Sequence, residues 1–571
     1  MTNKHLKLHI GNAEAAAHST LIHLADEKFV QRLWDRDTTL WKPDADHRKT
    51  IGHRLGWLTA PSGMRKQLPH ITTFVNEVRQ AGFTDAILLG MGGSSLAPEV
   101  FGASFGPQAG YLRLHVLDSS NPDVITETLK RSTLEKSLFI VSSKSGATTE
   151  TLSLFRVFEA QLRRQGVAQP NQQFIAITDP GTPLERLAMK QVFRYVFSNP
   201  ADIGGRYSAL SYFGLVPAAL LGINLGLLLD RAENLSQRCG PKVAPALNPG
   251  VYLGTLLAVL ARRGRDKLTL LLSPSLASLG AWIEQLVAES TGKEGVGILP
   301  IGDESLGRTQ DYGNDRVFVA ITLAADTPAL GPHQLRSLVA SKHPVISWTL
   351  ADHYDLGAEF FRWEIATATA GAILGVNPFD EPNVTESKDT THALLNPLTA
   401  DNRQSSPQPV AQREGVGLYT TRIPGDLPLG FEDTLDQFLA TIQPGDYLAL
   451  LAYLHPRHEK ALNKIRLLLR NRLRIATTLG FGPRYLHSTG QFHKGGANRG
   501  VFIQIITKSY TDVDIPQAPY SFGQLYKAQA LGDFQVLQRR QRRVLRIHLE
   551  DDKASRLTAL HHHLQDALER L

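Results

Sequence analysis

Cysteine is nearly missing from this chain: Cys239 is the only one in 571 residues. An internal disulfide is therefore excluded, no cysteine pair is available for zinc, and a reducing compartment, the cytoplasm, is expected. Long apolar runs are missing too. The longest, residues 213–229, is broken by Pro217, Asn224 and three glycines. It falls short of the roughly 20 residues that cross a bilayer, so it reads as a buried helix or helix pair and no membrane association is expected. The opening Met1-Thr-Asn-Lys-His-Leu-Lys7 is too polar for a secretory leader. Charge of one sign is scarce: a formal +7 over this length suits an anionic substrate but does not call for nucleic acid. The one dense basic run, Arg539-Arg-Gln-Arg-Arg543, precedes a strand-like 544–549 and reads as a solvated helix end.

What is present is an alternation of short apolar runs and helical stretches, enough for two to four domains. Residues 1–75 read as mainly helical, with Trp34, Trp41 and Trp57 as packing anchors. Apolar runs at 86–89, 112–117, 138–141, 174–178 and 192–197 each end in polar or glycine-rich residues. Helical crossovers between them predict a doubly wound parallel sheet over 76–235. The plan recurs over 236–400, with strands at 268–272, 317–322 and 344–348. The polar stretch from Ala400 to Glu414 marks a linker, placed at 401–430. Residues 431–571 form a further α/β region, with strands at 447–453 and 474–478.

In such sheets ligands bind at the carboxyl ends of the strands. There the sequence holds Ser143-Lys-Ser-Gly-Ala-Thr-Thr-Glu150, a hydroxyl-rich loop running into a helix. Backbone N–H groups and the positive end of a helix dipole suit a phosphate monoester. No Walker Lys-Ser/Thr follows, so a nucleotide P-loop does not fit. Gly90-Met-Gly-Gly-Ser-Ser95 is a second such loop and lacks the G-x-G-x-x-G spacing of a dinucleotide site. Gly204-Gly-Arg206 places a fork donor on unhindered backbone. Gln285 and Glu289 share one face of a helix that is otherwise apolar, where a carboxylate's pKa would rise toward that of a general base. His487 and His493 lack a cysteine pair or an H-E-x-x-H motif, so no metal is expected.

Together, Gly90–Ser95, Ser143–Glu150, Gly204-Gly-Arg206, Glu289-Ser-Thr-Gly-Lys293, Asn377-Pro-Phe-Asp380 with Lys388, and Leu486-His-Ser-Thr-Gly-Gln491 resemble the glucose-6-phosphate isomerase family. The similarity is greatest to the isomerase portion of bifunctional transaldolase/glucose-6-phosphate isomerase proteins. About 75 residues before the first sheet are too few for a (β/α)8 barrel, so transaldolase activity is not expected. The resemblance implies an α/β protein with two doubly wound parallel-sheet SIS-type (sugar isomerase) domains plus a C-terminal α/β region. It implies cofactor-free interconversion of glucose 6-phosphate and fructose 6-phosphate in glycolysis and gluconeogenesis, by a homodimer. A non-catalytic sugar-phosphate sensor and an isomerase of another hexose phosphate are the alternatives.

Residue by residue, the resemblance implies that Gly92, Ser94, Ser143, Lys144, Ser145 and Thr148 cradle the phosphate and that Gln285 contacts substrate. Glu289 would move the proton between carbons 2 and 1, and Arg206 would stabilise the enediolate. Lys388 and His487 would open the ring. In ordinary family members the histidine lies between the glutamate and the lysine in sequence, whereas His487 follows both, and residues 292–320 contain no histidine. Either the C-terminal region supplies the group from a new chain position, or His487 is a decoy.

Overall fold

The computed structural model describes residues 6–131, 133–396, 409–419, 430–507 and 510–571. Among these residues there are three sheets. The first runs Arg113–Leu117, Asp85–Gly90, Ser137–Ser142, Phe174–Thr178, Tyr195–Ser198, all parallel. In chain order this is 2-1-3-4-5, so the sheet reverses direction between Asp85–Gly90 and Ser137–Ser142. Gly90 pairs with Ser142 across that seam. The two loops singled out in the sequence therefore leave adjacent strands at the switch point, where open α/β sheets bind ligands.

The second sheet runs Val345–Leu350, Arg316–Leu323, Lys267–Leu272, Leu299–Ile301, again parallel. The third runs Arg543–Leu549, Gly500–Thr507, Tyr447–Tyr453, Ala476–Phe481, also parallel. In all three sheets the strand that comes first in the parallel set lies inside the sheet, with later strands on both sides. The C-terminal region thus shares the doubly wound plan of the two preceding ones.

Two expectations need correction. The N-terminal segment is not wholly helical: Lys7–His9 joins the second sheet as an antiparallel edge beside Val345–Leu350. The interval 401–430 is not wholly linker. Ala411–Arg413 and Val416–Tyr419 form a hairpin against Arg543–Leu549, with Gly415 at φ +76° in the turn, where a side chain would be strained. The apolar alternation of Val416 and Leu418, both buried, is the signal the linker reading passed over. The rest of that interval, 401–408 and 420–429, lies outside the described residues.

The expected tryptophans anchor the N-terminal helices. Trp57 is fully buried against Tyr207, with ring centroids 5.2 Å apart. The indole of Trp41 donates to the Ala368 carbonyl (2.8 Å), and that of Trp34 to the Cys239 carbonyl (2.7 Å). Residues 213–229 form two buried helices, Tyr212–Leu220 and the start of Leu225–Arg238. Among the described residues no helix is long and apolar enough to cross a membrane.

Candidate active site

The helix Thr149–Arg164 begins directly after the Ser143 loop, and Thr148 stands at its N-cap without capping it. Instead the Thr148 hydroxyl meets the Ser143 hydroxyl at 2.8 Å. The first-turn N–H groups keep the partial positive charge of a helix start. Gly146, at φ +64°, permits the tight turn. The Ser145 hydroxyl accepts from Ala147 N. Lys144 behaves differently from the expectation: its amine is paired with the Asp179 carboxylate and donates to the Ala201 carbonyl (3.1 Å). It is committed to the neighbouring strand end rather than to the loop interior.

Across the seam, Gly92 and Gly93 form the tightest junction in the site. A Cβ on Gly92 (φ +55°) would lie 2.8 Å from Gln285 Nε2 and 3.1 Å from the His487 carbonyl oxygen. A Cβ on Gly93 would lie 2.1 Å from the Gly205 carbonyl oxygen. That neighbour is backbone and cannot swing away, so Gly93→Ala must push the Gly205–Tyr207 turn, and Arg206 with it. We expect Gly93→Ala to lower stability by about 1–3 kcal/mol, with kcat/KM per folded molecule falling as Arg206 is displaced, while a surface control changes neither. Denaturation and steady-state kinetics on one preparation check both.

Arg206 is buried at the mouth of the second unit. Nε donates to Ser290 Oγ (2.7 Å), and Nη2 to the carbonyls of Pro378 and Asp380 (2.8 Å each). Nη1 faces two carboxylates, Glu381 at 3.0 Å and Glu289 at 3.4 Å. Glu289 lies near the end of the helix Leu279–Thr291, whose other face is filled by Trp282, Ile283 and Leu286. Burial pushes the Glu289 pKa up; the Arg206, Lys293 and His487 charges oppose this, the Glu381 charge adds to it, and the net shift is upward. Gln285 Nε2 donates to Glu289 Oε2 (3.1 Å) and to the His487 carbonyl (2.8 Å). Its buried Oε1 has no partner among the described residues.

His487 comes from the third unit, on the turn Arg484–His487 after the strand Ala476–Phe481. Gln491, four residues on, donates to the Gly292 carbonyl at the end of the Glu289 helix (3.0 Å). The His487 ring Nε2 lies 3.1 Å from Glu150 Oε1, which also accepts from Gln529 Nε2 (2.7 Å). Burial of Glu150 works to raise its pKa. The His487 charge and hydrogen bond, with the Lys388 charge, outweigh it and hold the carboxyl at about 2.

Lys388, on the helix Pro382–Leu395, lines a cavity of about 240 Å3 with Ser145, Thr148, Glu150, His487 and Gln529. That is below the roughly 300–1,000 Å3 of sites for drug-sized ligands and suits a small metabolite. His493 lies apart from this cavity, buried with Nδ1 3.0 Å from the Tyr447 hydroxyl.

Ser145, Thr148, Lys388 and His487 line this cavity, while Gly92, Gln285, Glu289 and Arg206 lie next to it, joined through the Gln285 contact to the His487 backbone and the Arg206 contact to Glu381 at the start of the Lys388 helix. Only Lys144 is turned to another partner. Sequence reasoning assigned no role to Glu150, Glu381, Lys293 or Gln529. Glu150 and Lys293 lie inside quoted motifs, and Glu381 immediately follows one. Gln529 lies on the helix Phe522–Arg539 with no local signal at all.

Residues 64–297 match the model of the family described as phosphoglucose isomerase. A glucose-6-phosphate isomerase of Carboxydothermus hydrogenoformans is 26% identical over 60% of this chain and 85% of its own length. Among solved structures, a hypothetical protein from Thermus thermophilus superposes with a TM-score of 0.56 at 25% identity, covering 68% of this chain and 99% of that one. A glucose-6-phosphate isomerase from Chlamydia trachomatis shares the fold, with a TM-score of 0.50 at 19% identity over 66% of this chain and 80% of its own.

Proposed function

We infer that this chain belongs to the phosphoglucose isomerase family and interconverts glucose 6-phosphate and fructose 6-phosphate. The observation that carries this reading is the Glu289 carboxylate, buried 3.4 Å from the Arg206 guanidinium and joined through Gln285 to the backbone of His487. Moving a proton between adjacent carbons of a sugar needs a base, a stabiliser for the enediolate oxygen and an anchor for the distant phosphate.

Glu289 takes the proton from carbon 2 and returns it to carbon 1. Arg206 is permanently charged and offsets the negative charge that develops on oxygen in a buried site. The phosphate sits over the Ser143, Ser145 and Thr148 hydroxyls at the positive end of the helix Thr149–Arg164, with Ser94 beside them. Binding energy from this non-reacting end holds carbons 1 and 2 against Glu289. The open acceptor of Gln285 suits a sugar hydroxyl. Lys388 and His487 share the ring-opening step; the Glu150 carboxylate, ionised at neutral pH, lies 3.1 Å from His487 Nε2 and orients the imidazole. No cofactor is required by this chemistry.

One chain supplies every group named, and a homodimer in the cytoplasm is the assembly and location we propose. The direct test is a coupled assay with purified protein and fructose 6-phosphate, read through glucose 6-phosphate oxidation. Absence of turnover would overturn the reading. A narrower result is expected for His487→Asn. If ring opening rests on His487, it becomes the slow step, turnover falls by about 10²–10³-fold, and the primary isotope effect of carbon-2-deuterated glucose 6-phosphate on kcat shrinks toward unity. A full isotope effect in that variant would remove His487 from ring opening.

A further inference from the structure

The guanidinium of Arg206 has five N–H bonds to offer, and protein acceptors face all of them. Ser290, Pro378, Asp380 and Glu381 take four as hydrogen bonds, and Nη1 also faces the Glu289 carboxylate at 3.4 Å without a hydrogen bond. An oxygen that becomes negative beside Nη1 therefore meets two carboxylates already competing for that nitrogen, and it is bound better if one of the present acceptors yields.

The candidates differ sharply in freedom. Ser290 is fully buried in the Glu289 helix. The Pro378 and Asp380 carbonyls belong to a turn that Lys293 clamps from the other side, donating to the Asn377 and Asp380 carbonyls (2.8 and 2.6 Å) and to Asp380 Oδ1 (2.7 Å). Glu289 is tethered by Gln285 and 8% exposed. The Glu381 side chain is 42% exposed, and among the described residues its only hydrogen bond is the one to Arg206. Glu381 sits at the N-cap of the Lys388 helix without capping it.

Arg54 is a further cation on this side of the site. The Arg54 side chain packs on Gly204, 3.5 Å from that residue's would-be Cβ, and its guanidinium donates to the carbonyl of its own neighbour, His53 (3.2 Å). The positive charges of Arg54 and Lys293 both act on Glu381.

We propose that Glu381 is a resident counter-anion on Arg206, displaced from Nη1 toward Arg54 when the substrate's developing oxyanion takes its place. Glu381 then touches the reaction only through Arg206 and is a positioning residue. It keeps the fork neutralised and aligned between turnovers, and it competes with the substrate for one donor. This inference rests on the isomerase reading above.

The test uses the full chain, wild type and Glu381→Gln, with two inhibitors. One is a five-carbon aldonate 5-phosphate, whose carboxylate stands where the enediolate oxygens form. The other is the six-carbon alditol 6-phosphate, which has the phosphate and hydroxyls but no second anion. With the competitor neutralised, the variant should bind the aldonate about tenfold more tightly, the lower end of what one close charge pair carries. Affinity for the alditol should hold to within about twofold, which also shows that the variant is folded. Weaker aldonate binding, or equal changes for both inhibitors, or no change in either, would overturn the proposal. A wild-type protein that binds neither inhibitor and turns over no hexose phosphate would instead overturn the isomerase reading beneath it.

Discussion

Glu289→Gln loses about 10²–10⁴-fold in kcat, the range that a positioned general base contributes, with KM for fructose 6-phosphate changed far less. The substitution keeps the shape and volume of the side chain. The neighbouring Gln285, the phosphate loop and four of the five acceptors around Arg206 stay in place. What disappears is the only group in the pair able to accept a carbon-bound proton.

The pH profile of the wild type carries the same signature. A raised carboxyl is protonated at pH values where an ordinary glutamate, at 4.5, is already ionised. Activity is therefore lost as pH falls through a midpoint above 4.5, and the acid limb of kcat/KM marks Glu289 in the free enzyme. In Glu289→Gln the residual rate should show no such limb. A variant retaining wild-type turnover would remove Glu289 from the chemistry altogether.

Arg316→Met costs about 3–5 kcal/mol of stability, the range for breaking a buried ion pair. Arg316 and Glu304 are both fully buried at the side chain, with Nη2 3.2 Å from the carboxylate, and Nη1 also donates to Thr269 (2.8 Å). Arg470 from the third unit approaches the same carboxylate at 3.4 Å, and both guanidiniums lie over the Tyr312 ring at 5.2 and 5.3 Å. Glu304 thus ties the second unit to the third, the unit that carries His487. Removing Arg316 leaves a buried carboxylate with half its counter-charge. Chemical denaturation should show the loss, and Arg316→Met with Glu304→Gln should recover part of it, because the stranded charge is gone. A single variant as stable as wild type would mean that Arg470 alone neutralises Glu304.

Much of the architecture was legible because the strands are buried on both faces. The runs 174–178 and 447–453 match their strands to the residue, and 268–272 and 317–322 match to within one. A parallel strand covered by helices must be apolar along its whole length, so its ends are sharp in the sequence. Two of the misses follow the same logic. Lys7–His9 and Ala411–Arg413 are exposed edge strands, held by backbone pairing rather than by apolar content, and carry no strand pattern to read. Other misses do not: Leu299–Ile301 and Gly500–Thr507 are buried strands that the sequence reading left unassigned, and the runs 192–197 and 474–478 are displaced from their strands, Tyr195–Ser198 and Ala476–Phe481.

The site divides along similar lines. Loops at strand ends that turn tightly into a helix favour glycine and hydroxyl residues, so Gly92, Ser143 and Thr148, the residues proposed to hold the phosphate, stood out locally. Lys144 did not, since its charge is answered by Asp179 at the end of a different strand.

By itself, the sequence determined three α/β units, two glycine- and hydroxyl-rich loops on neighbouring strands, and a glutamate on an otherwise apolar helix with an arginine on a glycine-rich turn; that both are buried was decided by the fold. These follow from burial, backbone freedom and charge within a few residues. Only the tertiary structure decided which unit closes the site. The reordered His487 reaches Glu150 and Gln285 because the third unit packs its turn against Gly92 and the end of the Glu289 helix. The same packing decided that Arg206 is shared by Glu289 and Glu381. Arg206 and Glu381 stand 175 positions apart, a separation that leaves no periodicity along the chain, and only the fold brings their charges together.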